Sequence, residues 1–205
     1  MTIRRHALSV FGAITLLCAF QNLAVQAFDY VTEEEEDLIR DAQGLSHRIP
    51  LFLKLLDNRI VALGLRERTT KEREQAKKDL EAYEIELKAA SRVKDAEVRA
   101  KPLSPDVYLR KMTRPELLRG FMQITDEAMD NMDDAYDRKL PVREHVEVLQ
   151  KFLREQLPRF ENLKPGTPSE TSALKAAISH IQEAIADCEK ALDSLPKTLK
   201  SNTKE

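Results

Sequence analysis

The stretch that decides the fold lies near the C-terminus and reads TPSETSALKAAISHIQEAIADCEKALDSL, residues 167–195. Thr167, Pro168 and Glu170 form a helix start, because threonine caps the first turn, proline fits its first position, and a glutamate three residues after the cap can bond back to it. Apolar residues then follow in alternating steps of four and three: Leu174, Ile178, Ile181, Ile185, Cys188, Leu192 and Leu195. This period is typical of an amphipathic helix, so the segment predicts a long helix that packs against others.

The same period recurs upstream and predicts an all-α fold. Residues 46–63 and 142–160 carry comparable apolar stripes, and the stripe of residues 113–137 ends at Tyr136. A shorter helix begins after Thr32, with Glu35 in position to complete a capping box. Short links between helices favour antiparallel neighbours. We therefore predict an antiparallel helical bundle of five to six principal helices.

Residues 69–100 predict a very charged helix. Its apolar stripe is narrow and is closer to a coiled-coil edge than to a core helix: Ala76, Leu80, Tyr83, Leu87 and Ala90. Such a helix either pairs with a protein partner or packs on the bundle while its charges keep the protein soluble. A proline-containing linker follows at 101–105, because proline interrupts a helix. The single helical domain is predicted to span 28–196, with a polar tail at 197–205.

The first 27 residues have the layout of a cleavable export signal. Arg4 and Arg5 precede an apolar run that is shorter than the roughly 20 residues a membrane-spanning helix needs. Small residues at 24–27 then offer a signal-peptidase site. We predict cleavage after Ala27, a periplasmic or secreted location, and no transmembrane segment in the remaining chain.

Two other signals are alternatives to general export. Cys18 suggests a lipoprotein signal, but the residue before a modified cysteine is normally small, and Leu17 is not. Arg4 and Arg5 suggest a twin-arginine signal, but the residues after them match that pattern poorly.

Composition limits the partners and the chemistry. The chain has 33 basic and 35 acidic residues, so loss of the two signal arginines changes its formal charge from −2 to −4. Binding to nucleic acid requires a concentrated basic face, so we expect no nucleic-acid partner. Cys188 is the only cysteine after the signal and lies in an apolar stripe, which predicts a buried, unreactive thiol. His180 lies off that stripe and is predicted to be exposed.

Motifs for catalysis are absent from the sequence after the signal. It has no nucleophile elbow, phosphate-binding glycine loop, zinc helix, heme-attachment site or di-iron spacing. We expect no cofactor and a non-enzymatic role. An enzyme whose carboxylates meet only in the fold is a further possibility.

The most site-like pattern is an acidic face on one predicted helix: Asp126, Asp130, Asp133 and Asp137. Like charges at this spacing destabilise an isolated helix by about 0.2–0.5 kcal/mol per pair. A divalent cation would offset this, and so would neighbouring cations such as Arg138, Lys139 and Arg143. Repeats of the Asp-x-x-x-Asp kind are similar to the metal-cluster helices of PhoU-type bundles, over this helix alone. One ion would reach only two of the four carboxylates, so a metal site needs a second supplier, such as the acidic run 33–37.

The chain is assigned to no characterised family. These features predict an exported, non-enzymatic interaction or scaffold protein of the bacterial cell envelope or secreted space, with the charged helix 69–100 as a possible surface for a protein partner. The alternative is a divalent-cation-binding bundle that uses the Asp126–Asp137 face.

Overall fold

The computed structural model describes residues 30–90 and 105–196 of the chain. The predicted signal peptide, the end of the charged helix, most of the linker and the polar tail lie outside these residues. The helices are α1 Glu33–Asp41, α2 Leu45–Ala62, α3 Thr70–Ala90, α4 Pro105–Tyr108, a 3-10 turn Leu109–Lys111, α5 Arg114–Asp137, α6 Arg143–Glu161 and α7 Pro168–Ser194. The described part of the chain contains no strand, and the predicted all-α bundle is confirmed.

Four helices form the centre of the bundle. α5 packs against α2 and α7, and α6 packs against α7 and α2. Their apolar stripes supply the fully buried side chains of the core: Phe52, Leu56, Phe121, Ile124, Leu149, Leu153, Phe160 and Ile181. The rings of Phe121 and Phe160 lie 4.8 Å apart between centroids in a tilted pair. This geometry is favourable for aromatic rings and fastens α5 to α6 across the core.

The relative direction of α2 and α5 follows from one contact near each end of these two helices. Arg59, near the end of α2, lies against Gly120 near the start of α5. Arg48, near the start of α2, donates a hydrogen bond of 2.6 Å to the Asn131 side chain near the end of α5. The two helices are therefore antiparallel.

α5 and α7 run side by side in the same direction. Arg114 at the start of α5 lies 2.8 Å from a carboxylate oxygen of Glu170 at the start of α7, without the angle of a hydrogen bond. Further along both helices, Asp126 meets His180. α6 returns between them in chain order and forms an antiparallel pair with α7, so the bundle combines antiparallel and parallel neighbours.

A threonine with a glutamate three residues later caps the start of four helices, α1, α3, α5 and α7. The Thr32 side chain accepts the Glu35 N–H at 3.3 Å, while the Glu35 carboxylate accepts the Thr32 N–H at 3.0 Å. Thr113 and Glu116 form a second capping box at α5. At α7, Thr167 accepts from the backbone of Glu170.

A buried ion pair holds α1 against the bundle. Arg59 and Glu35 are both fully buried, and Gly120 leaves the space that the guanidinium occupies. A Cβ atom on Gly120 would lie 2.6 Å from Arg59 Nε. The capping signal predicted the helix that contains Glu35 but gave no indication of this partner.

α3 lies at the side of the bundle and packs mainly on α4. Two residues of its predicted stripe, Ala76 and Leu80, are half-buried, whereas Ile85 is 68% exposed. Arg66, in the link before α3, pairs with both Asp57 and Glu72. None of the described helices is long and apolar enough to cross a membrane.

Candidate functional site

A cleft of about 590 Å³ opens at the end of the bundle where α5 and α7 finish and α6 begins. We call it the terminal cleft. Its walls combine apolar side chains with two cations and one carboxylate: Tyr136, Leu140, Val142 and Leu195, with Lys139, Arg143 and Asp137. Its volume lies within the range of about 300–1,000 Å³ that is usual for ligand pockets.

The end of α5 shapes one wall of the terminal cleft. The N–H of Lys139 donates to the carbonyl of Tyr136 at 2.8 Å, and the N–H of Leu140 donates to the carbonyl of Ala135 at 2.9 Å. These two bonds are those of a Schellman motif, which terminates a helix by turning one residue into the left-handed region. Lys139 is that residue, with φ of 63°. Glycine usually occupies this position, because a Cβ atom there is unfavourable.

Two large apolar side chains stand exposed at the terminal cleft. Tyr136 is 55% exposed and Leu140 is 51% exposed. The sequence predicts Tyr136 as the last member of the buried stripe of α5. That prediction is wrong for Tyr136, because the last turn of α5 lies at the end of the bundle, where its neighbours leave it uncovered. Val142, in contrast, is buried and forms part of the floor.

Arg143 fixes the opposite wall of the terminal cleft. Its Nη1 donates to the backbone carbonyls of Leu192 and Leu195, both at 2.9 Å, and its Nε donates to Glu147 at 3.0 Å. These bonds join the start of α6 to the end of α7 and occupy the guanidinium. The other cation of the lining is Lys139, and it shares the lining with the carboxylate of Asp137.

The predicted acidic face is present on α5, and its first member is paired. Asp126 lies 2.6 Å from His180 Nε2 on α7. The prediction that His180 is exposed is therefore wrong: its side chain is 22% exposed and lies against α5. The two residues are 54 positions apart in the chain, and the helical period of α7 carries no signal for such a contact.

The rest of the acidic face is solvated. Asp130, Asp133 and Asp137 are exposed. Partial burial raises the pKa of Asp133, and the carboxylates of Asp130, Asp137 and Asp134 raise it further. A cation bound on this face would lower that pKa, because an opposite charge favours the ionised carboxyl group.

The second carboxylate supplier that a metal site needs does not come from α1. Glu35, at the centre of the acidic run 33–37, is paired with Arg59 inside the bundle. Within residues 30–90 and 105–196, no group of three or more His, Cys, Asp or Glu side chains is placed to hold a metal ion. The divalent-cation hypothesis thus gains no support from the geometry of Asp126, Asp130, Asp133 and Asp137, and it stays a prediction.

Cys188 lies in the core as predicted. Its side chain is 2% exposed. Burial raises its pKa to about 11, with smaller contributions from Asp187 and Asp133. Reaction with electrophiles requires the thiolate, so the native thiol is unreactive near neutral pH.

Comparisons with known proteins give no family to which the chain could be assigned. No family model matches it, and it has no significant match to a curated protein or to a solved structure.

Proposed function

We propose that this chain is an exported, non-enzymatic interaction protein of the bacterial cell envelope or secreted space, and that its terminal cleft binds a partner polypeptide. The observation that carries the proposal is the exposure of Tyr136 and Leu140, at 55% and 51%, on the wall of a cleft of about 590 Å³. Apolar side chains gathered on a concave surface are typical of protein interfaces. Tyrosine in particular is enriched among the residues that contribute most to binding energy.

The chemistry of the terminal cleft favours an apolar segment; a carboxylate on that segment would pair with Lys139, while Asp137 on the same lining opposes an anion. Tyr136 and Leu140, with the half-buried Leu195, offer apolar surface to such a segment, while Lys139 offers a positive charge. Arg143 is occupied by its own carbonyl and carboxylate partners, so its role is to hold the walls in place. Residues kept in unfavourable backbone conformations are concentrated at functional sites, and a lysine with φ of 63° lies at this cleft.

The export part of the proposal is supported by the layout of residues 1–27. Its test is N-terminal sequencing of protein recovered from the periplasm or the medium. We expect Phe28 as the first residue. An intact Met1, or a lipid on Cys18, would contradict general export.

The binding part is tested by affinity capture from an envelope extract, followed by titration calorimetry with each purified captured protein. The variant Tyr136→Ala/Leu140→Ser should reduce affinity at least about tenfold, as loss of central apolar anchors commonly does. The matched control is Val148→Ser, which changes an apolar residue of α6 that is 44% exposed and does not line the cleft. A captured protein whose affinity falls equally in both variants, or in neither, would contradict a role for the terminal cleft.

A further inference from the structure

The last described residues of the chain lie in the lining of the terminal cleft. Leu195 is the C-cap of α7, and its ψ of 140° turns the backbone from helix to an extended conformation. Leu195 and Pro196 both line the cleft, as do Tyr136 and Leu140. The polar tail, residues 197–205, is therefore attached to the chain at the wall of this cleft.

The polar tail contains one large apolar residue. Its sequence is KTLKSNTKE, in which the apolar residue is Leu199. Leu199 comes three residues after Pro196, so the Cα atoms of these residues are at most about 11 Å apart. This reach is comparable with the width of a cleft of about 590 Å³, on whose walls the side chains of Tyr136 and Leu140 are exposed. The tail can therefore bring an apolar side chain to an exposed apolar surface without any change in the bundle.

Charge also favours a contact between the polar tail and this end of the bundle. The tail has three lysines and one glutamate, which give it a formal charge of +2. Asp137 lines the cleft, and Asp133 lies one turn earlier on α5. Partial burial and neighbouring carboxylates raise the pKa of Asp133, so a cation beside it is favoured. Lys139 in the cleft lining opposes the tail lysines, which keeps the contact weak and reversible.

We propose that the polar tail docks in the terminal cleft of its own chain, with Leu199 packed against Tyr136 and Leu140. A short tether holds Leu199 at an effective concentration of the order of millimolar, so a weak contact is enough to fill the cleft. A partner polypeptide then has to displace the tail. This competition rests on the proposed function of the cleft, whereas docking of the tail does not.

Paramagnetic broadening in two-dimensional NMR tests the docking. Cys188 is buried, so in a Cys18→Ser background the variant Ser201→Cys gives a spin label one accessible thiol. The label should broaden the amide signals of residues 136–142. Adding Leu199→Ser should restore most of their intensity, while the matched control Thr198→Ser should not. All three chains have the same length and the same attachment point, so equal broadening in all of them, or broadening in none, would overturn the proposal.

A mixed sample separates docking within one chain from docking between two chains. Spin-labelled protein without ¹⁵N, added to ¹⁵N-labelled protein without the spin label, should leave the signals of residues 136–142 unchanged. Broadening of these signals in the mixture would place the tail of a second copy in the cleft and overturn docking within one chain.

Competition is tested with each protein captured through the terminal cleft. Leu199→Ser should raise its affinity about two- to tenfold, because the docked tail no longer reduces the population of open clefts. An affinity that depends on Tyr136 and Leu140 but not on Leu199 would overturn the competition. Docking of the tail without any captured partner would count against the proposed function alone.

Discussion

Arg59 of α2 and Glu35 of α1 are joined inside the bundle by two charge-assisted hydrogen bonds of 2.5 and 2.7 Å, with both side chains fully buried. Arg59 also donates to the carbonyl of Tyr30 at 2.8 Å. Removing two charges from water is very unfavourable; here both terminal nitrogens of Arg59 donate hydrogen bonds, while its buried Nε has no partner among the described residues. The pair thus holds the segment before α1, as well as α1 itself, against α2 and α5.

Removing only one partner of this ion pair should greatly lower the free energy of unfolding. Arg59→Leu leaves Glu35 as an isolated buried carboxylate, and we expect it to lower the free energy of unfolding by about 3–5 kcal/mol in urea denaturation. The double variant Arg59→Leu/Glu35→Leu should lose less, because no unpaired charge remains. Arg40→Ala, which removes an exposed pair with Asp37, should cost less than about 1 kcal/mol. A double variant worse than Arg59→Leu would contradict this explanation.

Gly120 should not tolerate even a methyl group. A Cβ atom there would lie 2.6 Å from Arg59 Nε and 2.8 Å from the carbonyl oxygen of Tyr30, and backbone cannot move aside cheaply. We expect Gly120→Ala to destabilise the protein by about 1–3 kcal/mol, despite the gain of about 1 kcal/mol in helix propensity. Gly166→Ala is the control, since its nearest neighbour is an ordinary 3.6 Å away. Thermal denaturation of both variants gives the answer, and a neutral Gly120→Ala would show that the segment before α1 is loosely held.

The signals that the sequence carried best were local ones. A threonine and a glutamate three residues apart can be recognised without knowing the fold, and Thr32 with Glu35 does start a helix. The same reasoning had no means to find Arg59 as the partner of Glu35, because they are 24 residues apart and on different helices. Helical period assigned Tyr136 to the core, since a period describes one helix and not where its neighbours end. At the last turn of α5 the neighbouring helices do not cover Tyr136, and this residue lines the terminal cleft instead.

The Cys188 thiol should be protected from thiol reagents in the native state. A thiol reagent should label it quickly only after denaturation, because its pKa is raised to about 11 by burial. The folded protein favours the protonated thiol. The contribution of this thiol to the free energy of unfolding is therefore complete below the unfolded pKa of about 9, and it is lost as pH rises toward about 11. Over that interval the free energy of unfolding should fall more steeply for the wild type than for Cys188→Ala. Rapid labelling of the folded protein, or a disulfide-linked dimer, would place the thiol at the surface.

Replacing Asp133 should stabilise the protein at neutral pH. Its folded pKa lies above the unfolded value of about 3.8, so the ionised form is disfavoured in the native state. Asp133→Asn should therefore raise the melting temperature at pH 7, and the gain should shrink as pH falls through about 4. Asp134→Asn is the control, because Asp134 has Arg138 within 3.7 Å. A gain in Asp133→Asn that persists in acid would have a cause other than charge.

Divalent cations should bind only weakly to the acidic face. Calcium usually requires six to eight oxygen ligands, and within the described residues no third His, Cys, Asp or Glu side chain joins any pair of these carboxylates in a group that could hold a metal ion. Calcium, magnesium or manganese at low millimolar concentration should leave the melting temperature nearly unchanged. A rise of several degrees, abolished in Asp130→Asn/Asp133→Asn, would restore the divalent-cation hypothesis.

The shared direction of α5 and α7 brings their C-terminal ends together at the terminal cleft. Each helix end carries a partial negative charge of about half a unit from its aligned peptide dipoles, and two parallel helices add these charges at the same place. Arg143 offsets the negative charge at the end of α7 directly, because its guanidinium donates hydrogen bonds to the carbonyls of Leu192 and Leu195. Lys139 lies just after the end of α5, so the negative end of that helix offsets part of the positive charge of Lys139 even without a bound partner. Attraction of a carboxylate to this cleft is consequently short-ranged: it depends on contact with Lys139, and the rate of association should respond only weakly to salt.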